Sequence, residues 1–428
     1  MENSINKISI NLSLFLISFS VFLYQVCLLR IISVSDYYHF AFLVVSIALL
    51  GFGISGSFLY FFTTRIKNNN LILLIFSYCF SVSIFVSYSL INIIPFDSFK
   101  IAWEVRQIFY LFAYYFFLLL PFFFGGSFIG FVLYSEEKPQ ITYFYNLIGS
   151  AAGSILFIFL VQYIEKIGLI IVSTVVGLAA TLIVICRKYL KIFSILIAVF
   201  ILITISVFMF FPSILEIRMS PYKSLPTILR IPESKVLYTE ENAYSKVDII
   251  ESPSIKSVPG ISLKYSKIPP EQLGLTIDGD NLSPITKVEN GEIARLDFLE
   301  YIPVSVVYAV KNTPEKILIV EPGGGLDVIG SLYFTSKFSK SLSVGQELNE
   351  SGNYKDPNIY VLQNNSLIIK ILKDRQLKNG YFVNYGGNIY GMDNITINEM
   401  SIRNFSNITP FKFDLIVLSL SDSYHPIS

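Results

Sequence analysis

Charge is what this chain has least of. Only 15% of its 428 residues are charged and 53% are hydrophobic, whereas ordinary soluble domains carry about 25% charged residues. The shortage is uneven, with only about 18 of the Lys, Arg, Asp and Glu side chains lying within residues 1–212. The two parts of the chain are therefore composed for different solvents. A formal net charge of +1 offers no electrostatic footprint for nucleic acid. Cysteine is nearly absent too: Cys27, Cys79 and Cys186 all lie in apolar runs. The polar part thus has no disulfide framework and no Cys-based metal site, and no metal site is expected. Tryptophan occurs once and histidine twice.

What is present in residues 1–212 is a series of apolar runs, each near the ~20 residues that a bilayer core demands. Seven are expected, at about 8–29, 40–62, 71–94, 107–134, 143–164, 167–186 and 191–212. Short polar segments such as "RIKNNN", "EEKPQ" and "RKYLK" separate them. The first run lacks a small-residue cleavage site and is followed by further runs, which argues against a signal peptide. These features predict an integral membrane bundle with the lipid bilayer as its partner.

Within the second run, "GFGISG" at residues 51–56 fits the dinucleotide pattern G-x-G-x-x-G. That fingerprint needs a strand, a turn and a helix N-terminus. None fits inside a bilayer-length helix, so these glycines are expected to pack helices instead. The same small-residue spacing recurs at Gly126/Gly130 and Gly149/Gly153. Polar residues in or near the runs are few: Gln25, Arg30, His39, Asn146 and Gln162. Interhelical hydrogen bonding, with Arg30 reaching to an interface, accounts for them. No acidic side chain sits in the middle of a run, which counts against a proton-coupled transporter.

From about residue 213 the pattern changes. Residues 213–310 read as β-rich, with β-branched and aromatic residues alternating between Pro, Gly and Asn turns, as in "KVLYTEENAYSKVDIIES" and "LGLTIDGDNLSPI". Residues 311–428 read differently. "EKILIV" is a continuous apolar run of the kind expected for a strand buried on both faces. It enters "EPGGGLDVIGSLYF", a glycine turn leading into a helix, and "SLSVGQELNE" is expected to be a second strand closing on Glu347. "NITINEMSIRNF" and "FDLIVLSLSD" supply two further strand candidates. Strand, glycine turn, helix and a strand ending in an acid describe a nucleotide-binding α/β half. Gly323, Gly324 and Gly325 let the backbone turn tightly and approach a ligand. Glu347 could accept hydrogen bonds from ribose hydroxyls.

These segments carry a family resemblance. "KILIVEPGGGLDV", "QELNE", "FDLIVLSLSDSYHP" and "VLYTEENAYSKVDIIES…LTIDGD" resemble the spermidine synthase-like aminopropyltransferases. The likeness is to their multi-spanning membrane branch, which "YNLIGSAAGSIL" and "FLYQVCLLRIISV" also resemble. The resemblance implies a β-hairpin region followed by a Rossmann-type domain of the S-adenosylmethionine methyltransferase kind. The implied ligand is S-adenosylmethionine or decarboxylated S-adenosylmethionine, and the implied acceptor an amine such as a polyamine. It implies that Gly323, Gly325 and Asp327 form the cofactor loop, Glu347 the ribose-binding acid, and Asp278 with Gly279 part of the substrate cleft. Asp422 matches the second Asp of the family's Asp-Ser-Ser-Asp stretch, so Asp422 and Asp278 are the candidate catalytic residues. The family's catalytic Asp is replaced by Ser419, and its Tyr-His-Glu segment retains only Glu300. The acid expected after the third strand is missing or shifted, with Ser401 and Glu399 nearby.

The fourth strand candidate ends close to Ser428. Such sheets normally have more strands, so the α/β part is expected to be incomplete and the sequence a fragment. The expected architecture is an N-terminal bundle of about seven helices (1–212), a small β-rich segment (213–310) and an incomplete Rossmann-type domain (311–428). Lys and Arg are more frequent in the loops on the N-terminal side, which by the positive-inside rule would put the polar part outside. The cytosolic origin of the implied nucleotide points the other way. The expectation adopted is an inner or plasma membrane protein with a cytoplasmic soluble part, and a homo-oligomer is compatible with it. Three functions are open: a membrane-tethered transferase, a nucleotide-binding sensor that has lost its base, and a transporter regulated by its soluble domain.

Overall fold

The computed structural model describes residues 6–36, 38–62, 69–136, 138–185, 188–311, 314–345 and 357–419. They form two compact units: Met1–Ser220 with Asn242–Tyr244, and Pro221–Glu241 with Ser245–Ser428.

The first unit is a membrane bundle. Its helices are α1 (Lys7–Ser35), α2 (Tyr38–Phe62), α3 (Asn69–Ile93), α4 (Arg106–Ser135), α5 (Pro139–Leu160), α6 (Lys166–Ile183) and α7 (Leu190–Phe210). All seven are long and apolar enough to cross a bilayer. Helical form follows from the solvent, because a spanning segment must satisfy its backbone groups internally. Pro121 lies inside α4 without ending it, as spanning helices tolerate.

Helix α1 is central and packs against α2, α4, α5 and α6. Leu14, Ile17, Val21, Tyr24 and Leu28 are completely buried there. Helix α7 buries only Phe193, Ile197 and Phe200. After α7 the chain returns to the C-terminal end of α1, where the Ser220 amide donates to the Ser35 carbonyl at 2.6 Å.

Glycines set how closely these helices approach. A Cβ at Gly149 would lie 2.4 Å from the Phe15 carbonyl oxygen, and one at Gly153 would lie 2.2 Å from that of Phe19, so α5 rests on the α1 backbone. The "GFGISG" stretch is only partly such a seam. Gly51 meets Phe122 of α4, with a Cβ there 2.6 Å from the Phe122 Cβ, whereas Gly53 and Gly56 have no neighbour within 4 Å. The face that packs is Gly51, Ser55 and Leu59, spaced by four residues, and all three are buried. Gly53 and Gly56 point outward because they lie off that row.

Some interior polar groups are hydrogen-bonded between helices. Ser18 Oγ donates to Asn146 Oδ1 at 2.7 Å, Ser173 Oγ donates to the Ser20 carbonyl at 2.7 Å, and Tyr24 donates to Ser87. Arg30, expected to reach an interface, is instead 7% exposed. Gln25 is half-buried and Gln162 exposed. The side chain of His39 lies outside the described residues.

The second unit begins with α8 (Ser224–Leu229) and contains two sheets. Strands β1 (Lys235–Glu241), β2 (Lys246–Glu251), β3 (Gln272–Ile277) and β4 (Asp280–Thr286) form an antiparallel meander. After α9 (Ser305–Val310) come β5 (Lys316–Val320), α10 (Leu326–Gly345), β6 (Asn358–Leu362), α11 (Ser366–Lys373), α12 (Tyr381–Tyr385), β7 (Ile395–Asn398), α13 (Ile402–Ile408) and β8 (Leu415–Leu418). The second sheet has the order β7-β6-β5-β8, and every pairing in it is parallel.

Strand β5 explains its own continuous hydrophobicity. Ile317 and Ile319 face one layer with Val328 and Ile329 of α10, while Leu318 and Val320 face another with Phe405 of α13. Both faces are covered, so no polar side chain is accommodated.

The first half of the strand expected over "SLSVGQELNE" is helical, because α10 continues through Ser341–Gly345, while residues 346–350 lie outside the described residues. Once a helix is nucleated each further residue adds a backbone bond, and a five-residue apolar alternation does not outweigh this. The second parallel strand is β6 instead, and it closes on Gln363. Glu347 lies outside the described residues.

Candidate functional site

The glycine turn leaves the carboxyl end of β5. Glu321 follows the strand at φ +51°, and Gly323 and Gly325 adopt φ +54° and +95°. Glycine populates this left-handed region freely, but glutamate does so at a cost. The second strand holds Glu321 there. Its amide donates to the Leu362 carbonyl at 2.8 Å, and its carboxylate accepts from Gln363 Nε2 at 2.6 Å and from the Asn364 amide at 2.9 Å.

Gly324 is required for a different reason. Its amide donates to Ser283 Oγ of β4 at 2.8 Å, and a Cβ here would come within 2.2 Å of the Pro284 carbonyl oxygen. The antiparallel sheet thus sits directly on the turn, and this amide is already used by the protein. A Cβ at Gly325 would lie 2.9 Å from Tyr390 Oη. Tyr390 is 6% exposed. Burial pushes its hydroxyl well above the ordinary tyrosine value, and the Asp327 carboxylate adds to this.

Asp327 stands in the first turn of α10. Burial raises its carboxyl above the ordinary aspartate value, and the neighbouring Ser419 hydroxyl opposes the shift. Ser419 Oγ is buried at the end of β8, beside that carboxyl but without a hydrogen bond of good geometry.

Two adjoining clefts open here. One, between Gly324, Ile285, Phe382, Ile389 and Tyr390, has only about 10 Å³ of free space, room for about one water. The other, between Val361, Gln363, Ile368, Leu372, Tyr390 and Ile397, is equally small at about 10 Å³. Tyr390 and Leu372 line both.

Gly323, Gly324 and Gly325 are therefore consecutive parts of one turn at the carboxyl edge of a parallel sheet, and Asp327 follows in the first turn of α10. Asp278 occupies a different position. It forms the β3–β4 turn at φ +51° beside Gly279 at +75°. Its carboxylate accepts from the Lys246 amide at 2.9 Å, and its carbonyl accepts from Lys223 Nζ at 2.9 Å. Asp280 accepts from the Ser224 amide and hydroxyl at the start of α8. The "DGD" stretch thus builds a hairpin turn. Glu300 accepts from Tyr333 and from Lys337 Nζ, which together hold its carboxyl below the ordinary glutamate value. Ser401 caps α13, accepting from the Asn404 amide. Asp422, like Tyr424 and His425, lies outside the described residues.

The residues not anticipated are Glu321, Gln363, Tyr390 and Ser283. Glu321 carries a sequence signal, being the acid where a buried apolar strand meets a glycine turn. Gln363 could be identified only once β6 was located, and Tyr390 and Ser283 arrive from distant elements. No protein-family model and no curated protein matches the chain.

Proposed function

We propose that the second unit is a Rossmann-type nucleotide-binding domain of the spermidine synthase-like kind, tethered to the membrane by the first. The observation that carries this reading is the parallel order β7-β6-β5-β8 with a glycine turn at the carboxyl end of β5. Open α/β sheets bind ligands at the carboxyl ends of their strands. The ligand is a nucleoside of the S-adenosylmethionine type, with Gly323, Gly325, Asp327 and Gln363 lining its site and Tyr390 closing it. Acidic and neutral groups dominate this lining, which suits a sulfonium or amine and disfavours a polyphosphate.

Aminopropyl or methyl transfer to an amine is the reaction this ligand supports, with Asp422 the remaining candidate base. A second reading is favoured by Ser419. A serine hydroxyl beside a carboxyl whose pKa is raised does not remove a proton from an amine near neutral pH. With Asp278 engaged in its turn, a sensor that binds the nucleotide without turnover fits the same site.

Equilibrium binding and turnover by the full-length protein in detergent test both readings. Binding of S-adenosylmethionine or its decarboxylated form, with product from putrescine or another amine, supports the transferase. Binding without product supports the sensor. Failure to bind either nucleotide eliminates both.

A further inference from the structure

The connection between α3 and α4 carries the only tryptophan of the sequence, in "FDSFKIAWEVR" at residues 96–106. It folds into a short 3-10 helix, Ser98–Ala102, capped by Asp97, whose carboxylate accepts from the Phe99 amide at 3.1 Å. Gln107, buried at the start of α4, ties the segment down, its Oε1 accepting from the Asp97 amide at 2.9 Å. Phe96 packs inward against Phe40 of α2 and Tyr114 of α4, with ring centroids 6.3 and 5.7 Å away. The backbone is largely self-sufficient. The amides of Phe96, Lys100, Trp103, Glu104, Gln107 and Ile108 all donate to carbonyls two to four residues back.

With the inward side fixed in this way, the outward side is apolar. Trp103 and Val105 are each 69% exposed, and Phe99 is exposed beside them. They run on into Phe109, Phe112 and Phe116 of α4, all exposed. Spacings of three and four residues put these three rings in one row along the helix.

We propose that residues 97–105 form an interfacial anchor lying in the headgroup layer of the bilayer, with Trp103 as its seat. Lipid is the occupant because the exposed apolar side continues the bilayer-facing row of a spanning helix. Backbone amides that would lose water at that depth are already bonded within the chain. The amphipathic ring of tryptophan favours the same level. Asp97, Lys100, Glu104 and Arg106 sum to zero charge, so the contact takes phospholipid in general and requires no anionic headgroup.

Trp103 is its own reporter, since all tryptophan fluorescence of the full-length protein comes from it. The test is emission from the protein in phosphatidylcholine proteoliposomes, with bromine on the acyl chains either near the headgroup or near the chain end. A parallel series has iodide in the water on both sides. Blue-shifted emission is expected, with quenching by shallow bromine at least about twofold stronger than by deep bromine and little quenching by iodide. Strong iodide quenching with none by bromolipid would put the segment in water and overturn the proposal. Quenching by neither would mean that protein, such as a second copy of the chain, covers Trp103, which overturns it equally. So would bromolipid quenching that appears only when phosphatidylglycerol is added.

Discussion

Glu321 occupies a backbone conformation that glycine adopts freely and glutamate does not. Three hydrogen bonds to residues 362–364 hold it there. Strain of this kind persists only where the surroundings over-determine it, and here it couples the glycine turn to the end of β6. Gly324 shows the opposite constraint, since space rather than φ excludes a side chain. Gly324→Ala is expected to destabilise the second unit by roughly 2–4 kcal/mol, because backbone of β4 would have to move. Gly330→Ala, where the nearest atom is 3.8 Å away, should be neutral or stabilising. Denaturant unfolding of the two variants checks the contrast.

Glu300 yields a pH prediction. Its folded-state pKa lies below its ordinary value because Lys337 and Tyr333 hydrogen-bond the carboxylate. Its stabilising contribution is therefore complete above the unfolded value near ~4.3 and is lost as pH falls through the lower folded value. The side chain is 38% exposed, so the loss is expected to be below about 1 kcal/mol. Glu300→Gln should flatten this part of the pH–stability curve, measured by chemical unfolding between neutral pH and pH 3. An unchanged slope would show that the pair contributes nothing.

At the scale of elements, the bundle is held by contacts of very different kinds. Helix α5 lies against the backbone of α1 at Gly149 and Gly153, whereas Gly53 and Gly56 of α2 touch nothing. Gly153→Leu should separate α5 from α1 and lower the unfolding midpoint in detergent, while Gly53→Leu should leave it unchanged. Equal effects would mean that helix propensity, not packing, controls the result.

Element identity was readable where one physical cue dominated. Seven runs of bilayer length and the doubly buried β5 are cases of this kind. It was misread at residues 341–345, where a short apolar alternation competed with a helix already under way. Glu347, the expected ribose acid, lies outside the described residues, and the strand that pairs with β5 is followed by Gln363. The spacing of "GFGISG" was equally unhelpful, because the i,i+4 row through Gly51 decides contact and the motif's own spacing does not.

For the whole molecule, sidedness is the property with the most consequence. After α7 the chain returns to the end of α1, where the Ser220 amide donates to the Ser35 carbonyl. A ligand of the S-adenosylmethionine type is cytosolic, and the second unit is expected to be cleaved by protease in inverted membrane vesicles and protected in right-side-out ones. The opposite pattern would contradict both nucleotide readings. Saturating nucleotide should protect the second unit further, by about 2.7 kcal/mol at a hundredfold excess over the dissociation constant.

The sequence by itself determined the solvent of each part. Hydropathy acts locally, so a run of some twenty apolar residues needs no partner to identify it. It also marked the glycine turn, because an apolar strand running into three glycines is a local pattern. The tertiary structure alone decided which groups meet that turn. Ser283, Gln363, Tyr390 and Ser419 come from four separate elements, and their proximity depends on strand order and register, which local spacing does not encode. Asp278 is the converse case: an acid conspicuous in sequence whose carboxylate the structure uses to close a hairpin.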